Sequence, residues 1–122
     1  MHKSIFTAVL LLSAACITPS CKEVFEKDLD KVQVVLIAPH NNLSSDTTLQ
    51  SFFWQPIDSG VKFELQVISP RFDSAVYLAL DSVTQANQLL LTLPPAQYQW
   101  RVRAFNSSST TLFSTPWNLT IK

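Results

Sequence analysis

Leu93-Pro94-Pro95-Ala96-Gln97-Tyr98-Gln99-Trp100-Arg101-Val102-Arg103-Ala104-Phe105-Asn106 is the stretch that decides the fold. Within it Tyr98, Trp100, Val102 and Ala104 alternate with Gln99, Arg101 and Arg103. Successive side chains of an extended chain point to opposite sides, so this period of two sorts the residues into an apolar face and a wet one. The pattern predicts a strand from Tyr98 to Phe105 with one side against a core. Pro94-Pro95 predicts the turn that feeds it.

The same period continues on both sides. Val61, Phe63, Leu65 and Val67 alternate with Lys62, Glu64 and Gln66 across Val61 to Ser69, and Trp117, Leu119 and Ile121 alternate with Asn118 and Thr120. Further strands are expected over Val32 to Ala38, Leu49 to Gln55, Ala75 to Asp81 and Gln88 to Leu93. Pro39-His40-Asn41-Asn42, Pro56 with Asp58-Ser59-Gly60, Pro70-Arg71-Phe72-Asp73 and Gln85-Ala86-Asn87 separate them. Turn signals spaced roughly every eight to twelve residues describe a sandwich or barrel. No stretch has the caps and 3.6-residue period of a useful helix. The expected class is all-β, with seven strands over residues 32–122.

Three features together carry a family resemblance. Leu93-Pro94-Pro95 followed by Tyr98 and by Arg101-Val102-Arg103-Ala104-Phe105-Asn106 resembles the leucine-proline corner, tyrosine and Arg-Val-x-Ala-x-Asn strand of fibronectin type III domains. Trp54, two residues before Pro56, stands where that family places a core tryptophan. Phe63 opens the third strand, ahead of Leu65 and Val67. The resemblance implies a fibronectin type III or immunoglobulin-like sandwich. It also implies a tyrosine corner, in which the Tyr98 ring packs inward and its hydroxyl bonds an upstream backbone group. It implies nothing about a ligand, because function resides in sites and not in the fold.

The amino-terminal part reads differently. Met1-His2-Lys3-Ser4 is a short basic start, and the thirteen residues from Ile5 to Ile17 are apolar or small throughout. As a helix they would reach only about 20 Å, short of a ~30 Å hydrocarbon core, so a secretory signal peptide is expected here and not a membrane span. Both cysteines of the chain, Cys16 and Cys21, lie at or just after this run. A cysteine preceded by small residues and followed by polar sequence resembles the lipobox of bacterial lipoproteins, in which the thiol is acylated. Thr18-Pro19-Ser20-Cys21 is the favoured site because it follows the whole apolar run, with Ser13-Ala14-Ala15-Cys16 as the alternative. The expected organisation is a lipoprotein signal peptide at 1–20, a charged tether at 21–31 and the sandwich at 32–122. The expected location is the outer membrane, facing the cell surface or the periplasm. The Lys22-Glu23 start of the tether resembles, in part, the surface-display signal of some diderm bacteria.

Composition narrows the chemistry. Formal net charge is zero and the only glycine is Gly60. A nucleic-acid binder needs a basic face, and phosphate-cradling loops need several glycines, so both classes are disfavoured. His40 is the only histidine after the signal peptide, and Asp46, Asp58, Asp73 and Asp81 fall in different turns. No catalytic site, metal site or cofactor is expected. Binding is the open possibility. If Trp54 points inward then Phe53 points outward, and Leu90 does the same if Leu89, Leu91 and Leu93 fill the core. Phe53, Tyr77, Leu90 and Phe105 are therefore the candidate binding surface. Lys62, Glu64, Arg101 and Arg103 read as mixed, solvated charge. Asp46-Thr47-Thr48, Asp73-Ser74-Ala75 and Asp81-Ser82-Val83 resemble an O-glycosylation sequon, making Thr47, Ser74 and Ser82 candidate acceptors. The functional expectation is a non-catalytic, lipid-anchored module docking on an envelope protein. The alternative is a glycan-binding accessory lipoprotein of a polysaccharide-uptake system.

Overall fold

The computed structural model describes residues 26–122. The signal peptide, Cys16 and Cys21 lie outside the described residues. Eight strands follow in chain order: β1 (Leu36–Ala38), β2 (Leu43–Ser45), β3 (Leu49–Trp54), β4 (Lys62–Ser69), β5 (Tyr77–Thr84), β6 (Gln88–Thr92), β7 (Ala96–Phe105) and β8 (Trp117–Ile121). They form a three-stranded sheet of order β1-β3-β6 and a five-stranded sheet of order β2-β8-β7-β4-β5.

The alternation read from the sequence becomes the core. Tyr98, Trp100, Val102 and Ala104 of β7 and Phe63, Leu65 and Val67 of β4 point inward from the larger sheet. Phe52 and Trp54 of β3 meet them from the smaller one, and both are fully buried. The Phe52 and Trp100 rings meet edge to face at 5.0 Å, and Trp54 and Phe63 at 5.5 Å. Each such side chain stabilises the fold by roughly 1.5–3 kcal/mol through burial, and each edge-to-face pair adds about 0.5–1.5 kcal/mol.

The tyrosine corner is present. The Tyr98 hydroxyl donates to the Pro94 carbonyl oxygen at 2.6 Å, and Leu93, beside it, is buried. The turn between β3 and β4 closes with the Val61 amide donating to the Asp58 carbonyl. Gly60 there has φ of +80°, a conformation in which only glycine avoids strain.

Three differences from the sequence reading exceed two residues. The stretch after Asn42 is not wholly loop: Leu43–Ser45 forms β2, which runs parallel to β8 in the register Leu43↔Leu119. A three-residue strand has too little length to show a period. The fifth strand runs Tyr77–Thr84 instead of Ala75 to Asp81, because a short 3₁₀ turn at Phe72–Ser74 consumes the residues before it. The first strand is only Leu36–Ala38; residues 32–35 lead into it outside any strand, with the Val35 carbonyl accepting from the Gln55 amide at 2.9 Å.

The largest difference lies in the charged segment. Its charge pattern places residues 26–31 at the end of a solvated tether, with the sandwich starting at Val32. Instead Leu29 is fully buried in the core cluster. The Leu29 amide donates to Ser109 Oγ at 3.0 Å, and Asn106 Nδ2 donates to the Lys27 carbonyl at 2.8 Å. Ser107 and Ser108 hydroxyls donate to the Glu26 carboxylate at 2.7 and 3.0 Å. One leucine in a charged run fills a hole that only the folded sandwich creates.

Candidate functional site

The structure divides the four candidate surface residues between two places. Phe53 and Leu90 share the outer side of the three-stranded sheet. Ser51 pairs with Leu90, and Leu49 and Phe53 lie two residues to either side of Ser51. In an antiparallel pair such diagonal neighbours are within reach of long side chains. Ile37 joins them from β1, where a bulge sets residues 37 and 38 against Phe53. Leu49 is 54% exposed, Leu90 61% and Ile37 41%, while Phe53 is half-buried. The outward positions are thus Ile37 on β1, Leu49, Ser51 and Phe53 on β3, and Gln88, Leu90 and Thr92 on β6. None is charged. Leu49 and Ile37 were not singled out from the sequence. Leu49 has the same parity as Phe53 on β3 and follows from the same alternation, whereas the bulge in three-residue β1 hides the side on which Ile37 stands.

Tyr77 lies elsewhere, exposed at the start of edge strand β5 beside exposed Val76 and Leu78. Phe105 ends β7 on the outer side of the larger sheet, half-buried and opposite Lys62.

That outer side is not loose solvated charge. The Arg101 guanidinium lies 4.0 Å from the Phe72 ring centroid and 4.1 Å from that of Phe113, and Arg103 lies 4.6 Å from Phe113. Arg101 Nε donates to Gln66 Oε1 at 2.9 Å, Gln66 donates on to Asp81 at 3.2 Å, and Arg103 donates to Glu64 at 2.7 Å. Burial pushes the Arg101 pKa down, with Glu64 opposing that shift. Planar guanidinium groups stack on rings, and two phenylalanines, one from the 3₁₀ turn and one from the β7–β8 connection, turn the expected solvated face into an ordered stack.

A groove of about 480 Å³ opens along the side of the sandwich. Val32, Val34 and Leu36 form one wall, and Leu112, Phe113 and Trp117 form the other. It adjoins the uncharged sheet face at Val35, which lines the groove and is 48% exposed.

The remaining candidate groups are dispersed. His40 is exposed in the loop after β1. Among the described residues no three His, Cys, Asp or Glu side chains lie together as a metal-binding group. Asp73 is held below the usual carboxylate range by its hydrogen bonds from Arg71, at 3.0 and 3.1 Å, but the pair is exposed and stands alone. Of the three glycosylation candidates, Thr47 is exposed in a loop and Ser74 is exposed at the end of the 3₁₀ turn. Ser82 pairs with buried Leu65 and so sits on the core-facing side of β5, half-buried.

No protein-family model matches the chain, and no curated protein matches it. Solved structures do. The solution structure of the fibronectin type III domain of human fibronectin type III domain containing protein 3 aligns with a TM-score of 0.52 and 16% identity, covering 79% of this chain and 90% of that one. The chicken CNTN1 FN1–FN3 domains align with a TM-score of 0.49 and 15% identity over 71% of this chain. This chain spans 34% of the length of that one. With the two sheets, the buried Trp54 and the Tyr98 corner, the likeness to the human domain shows that this chain has the fibronectin type III-like fold of the immunoglobulin-like β-sandwiches.

Proposed function

We propose that this chain is a non-catalytic binding module, held at the cell envelope by a lipid on Cys21, that docks on a protein partner. The observation that carries the docking is the uncharged outer side of the β1-β3-β6 sheet, where Ile37, Leu49, Phe53 and Leu90 adjoin. Contiguous apolar surface of this kind, depleted of charge at its centre, suits a protein interface. The centre of the larger sheet's outer side is instead taken up by arginines that are already paired and stacked.

A photo-crosslinking side chain at Leu90 in the native host should yield one discrete protein adduct. The same group at exposed Ser107 should yield none. Loss of the Leu90 adduct in a Leu49→Glu background ties capture to the face. A glycan array that binds the domain while no protein adduct forms turns the assignment to the glycan-binding alternative, with exposed Tyr77 as its stacking platform.

The anchor is tested separately. Metabolic labelling with a fatty-acid analogue should be lost in Cys21→Ser, whereas persistent label moves the lipid to Cys16. O-glycans on Thr47 or Ser74 would appear as added mass on protein from the native host, and a mass of polypeptide plus lipid alone removes them.

A further inference from the structure

We infer that one end of the sandwich, formed by residues 55–61, 85–87 and 106–109, faces the membrane, and that the opposite end points away from it. This rests on lipidation at Cys21 as proposed above.

Strand directions define the two ends. The register Lys62↔Phe105 and Phe63↔Thr84 gathers the β3–β4, β5–β6 and β7–β8 connections at one end. Asn87 confirms the grouping, since its side chain donates to the Trp54 carbonyl at 2.9 Å and its own carbonyl accepts from the Trp54 amide. The loops at 46–48, 70–76 and 93–95 lie at the other end, while the link at 39–42 joins β1 and β2, which run the same way, part-way along the side. Ten residues of β7 separate the two, a distance of roughly 30 Å.

Residues 26–29 are fastened to the first end. Four hydrogen bonds from Asn106, Ser107 and Ser108 and to Ser109 hold them, and Leu29 is fully buried. From Cys21 to Glu26 there are five Cα steps, which at full extension reach about 18 Å. That reach starts from the pinned end and is shorter than the sandwich. The opposite end therefore cannot approach the bilayer unless the pin releases or the domain lies on its side. The pinned end also carries exposed Lys27, Lys31 and Lys62 beside Asp28, Asp30 and Asp58. Hydrated charge of both signs suits a headgroup zone better than the uncharged sheet face does.

The consequence concerns the partner. The β1-β3-β6 face then stands along the membrane normal and is presented sideways, to a partner beside the domain. Thr47 and Ser74 are carried at the outer end.

The experiment uses the lipidated protein reconstituted into phosphatidylethanolamine and phosphatidylglycerol vesicles. Acylation consumes Cys21 and cleavage removes Cys16, so a single introduced cysteine is the only free thiol. Gln85→Cys and Ala75→Cys flank β5 at its two ends, and both positions are exposed. With a donor dye on each and an acceptor dye on the lipid headgroups, energy transfer should be severalfold stronger from position 85 than from position 75. Equal transfer would overturn the orientation, because the domain would then lie flat or tumble. Removing the pin's side-chain hydrogen bonds and its buried leucine together, with Asn106→Ala, Glu26→Ala and Leu29→Ala, should shrink the difference; an unchanged difference shows that the pin does not set it and also overturns the inference. A thiol reactive in the unsubstituted protein, or failure to float with vesicles, identifies the separate failure of the Cys21 assignment on which the orientation depends.

Discussion

Tyr98 shows what one side chain does in this sandwich. Its ring fills the core while its hydroxyl donates to the Pro94 carbonyl, tying the turn before β7 to the strand it opens. Tyr98→Phe keeps the ring and leaves that carbonyl without its donor. The expected cost is about 1 kcal/mol in urea-denaturation free energy. The same burial pushes the Tyr98 phenol above its ordinary value of 10.0, with a smaller contribution from Tyr77. A folded value raised in this way gives stability that is fully present below pH 10 and is lost as pH rises through the folded value. The denaturation midpoint of the natural chain should therefore fall above pH 10 more steeply than that of Tyr98→Phe. Two other residues carry the opposite lesson: the Trp54 and Trp100 indole N–H groups are buried without a hydrogen-bond partner among the described residues. Their packing against Phe63 and Phe52 outweighs the donors they leave unmade.

At the scale of elements, the strands were readable because one side of each is dry. The amino-terminal segment was not. Its residues mix both charge signs, and Leu29 is apolar within a run that otherwise reads as solvated. Leu29→Ala should cost about 2–5 kcal/mol, the range for emptying a buried leucine site, and a chain starting at Val32 should be destabilised likewise in thermal or urea unfolding. Hydrogen bonds from Ser107 and Ser108 hold the Glu26 carboxyl below its ordinary 4.5. A depressed folded value means that this contribution is present above pH 4.5 and is lost as pH falls through the folded value. Hydrogen exchange at the Leu29 amide should accordingly lose protection in acid before the β7 amides do. The stack of Phe72, Arg101 and Phe113 is a second element that alternation alone could not show, since one ring arrives from the 3₁₀ turn and the other from the β7–β8 connection. Arg101→Lys keeps the charge but loses the planar contact, with an expected cost of about 0.5–1 kcal/mol in urea-denaturation free energy.

For the whole molecule, the decisive asymmetry is between the two outer faces. The larger sheet closes its own polar groups among Glu64, Gln66, Asp81, Arg101 and Arg103, while the smaller sheet leaves Ile37, Leu49 and Leu90 to solvent. Leu90→Glu touches an exposed side chain, so unfolding free energy should change by no more than about 0.5 kcal/mol. Adduct formation from a photo-crosslinker at nearby Leu49 should nevertheless be abolished. Stability lost together with capture would mean that the face belongs to the fold and not to a partner.

Alternation in Phe63–Val67 and Tyr98–Ala104, with the proline-rich turns between strands, determined the all-β class, most strand positions and the inward-facing residues, because a period of two is a local property of the chain. It also singled out Phe53 and Leu90 as outward. Only the tertiary structure decided that Ile37 and Leu49 adjoin them, that Tyr77 and Phe105 stand apart, that Arg101 is sandwiched by rings and that Leu29 is core. Each of these depends on which strands and loops become neighbours across long sequence separations, and no local pattern encodes that.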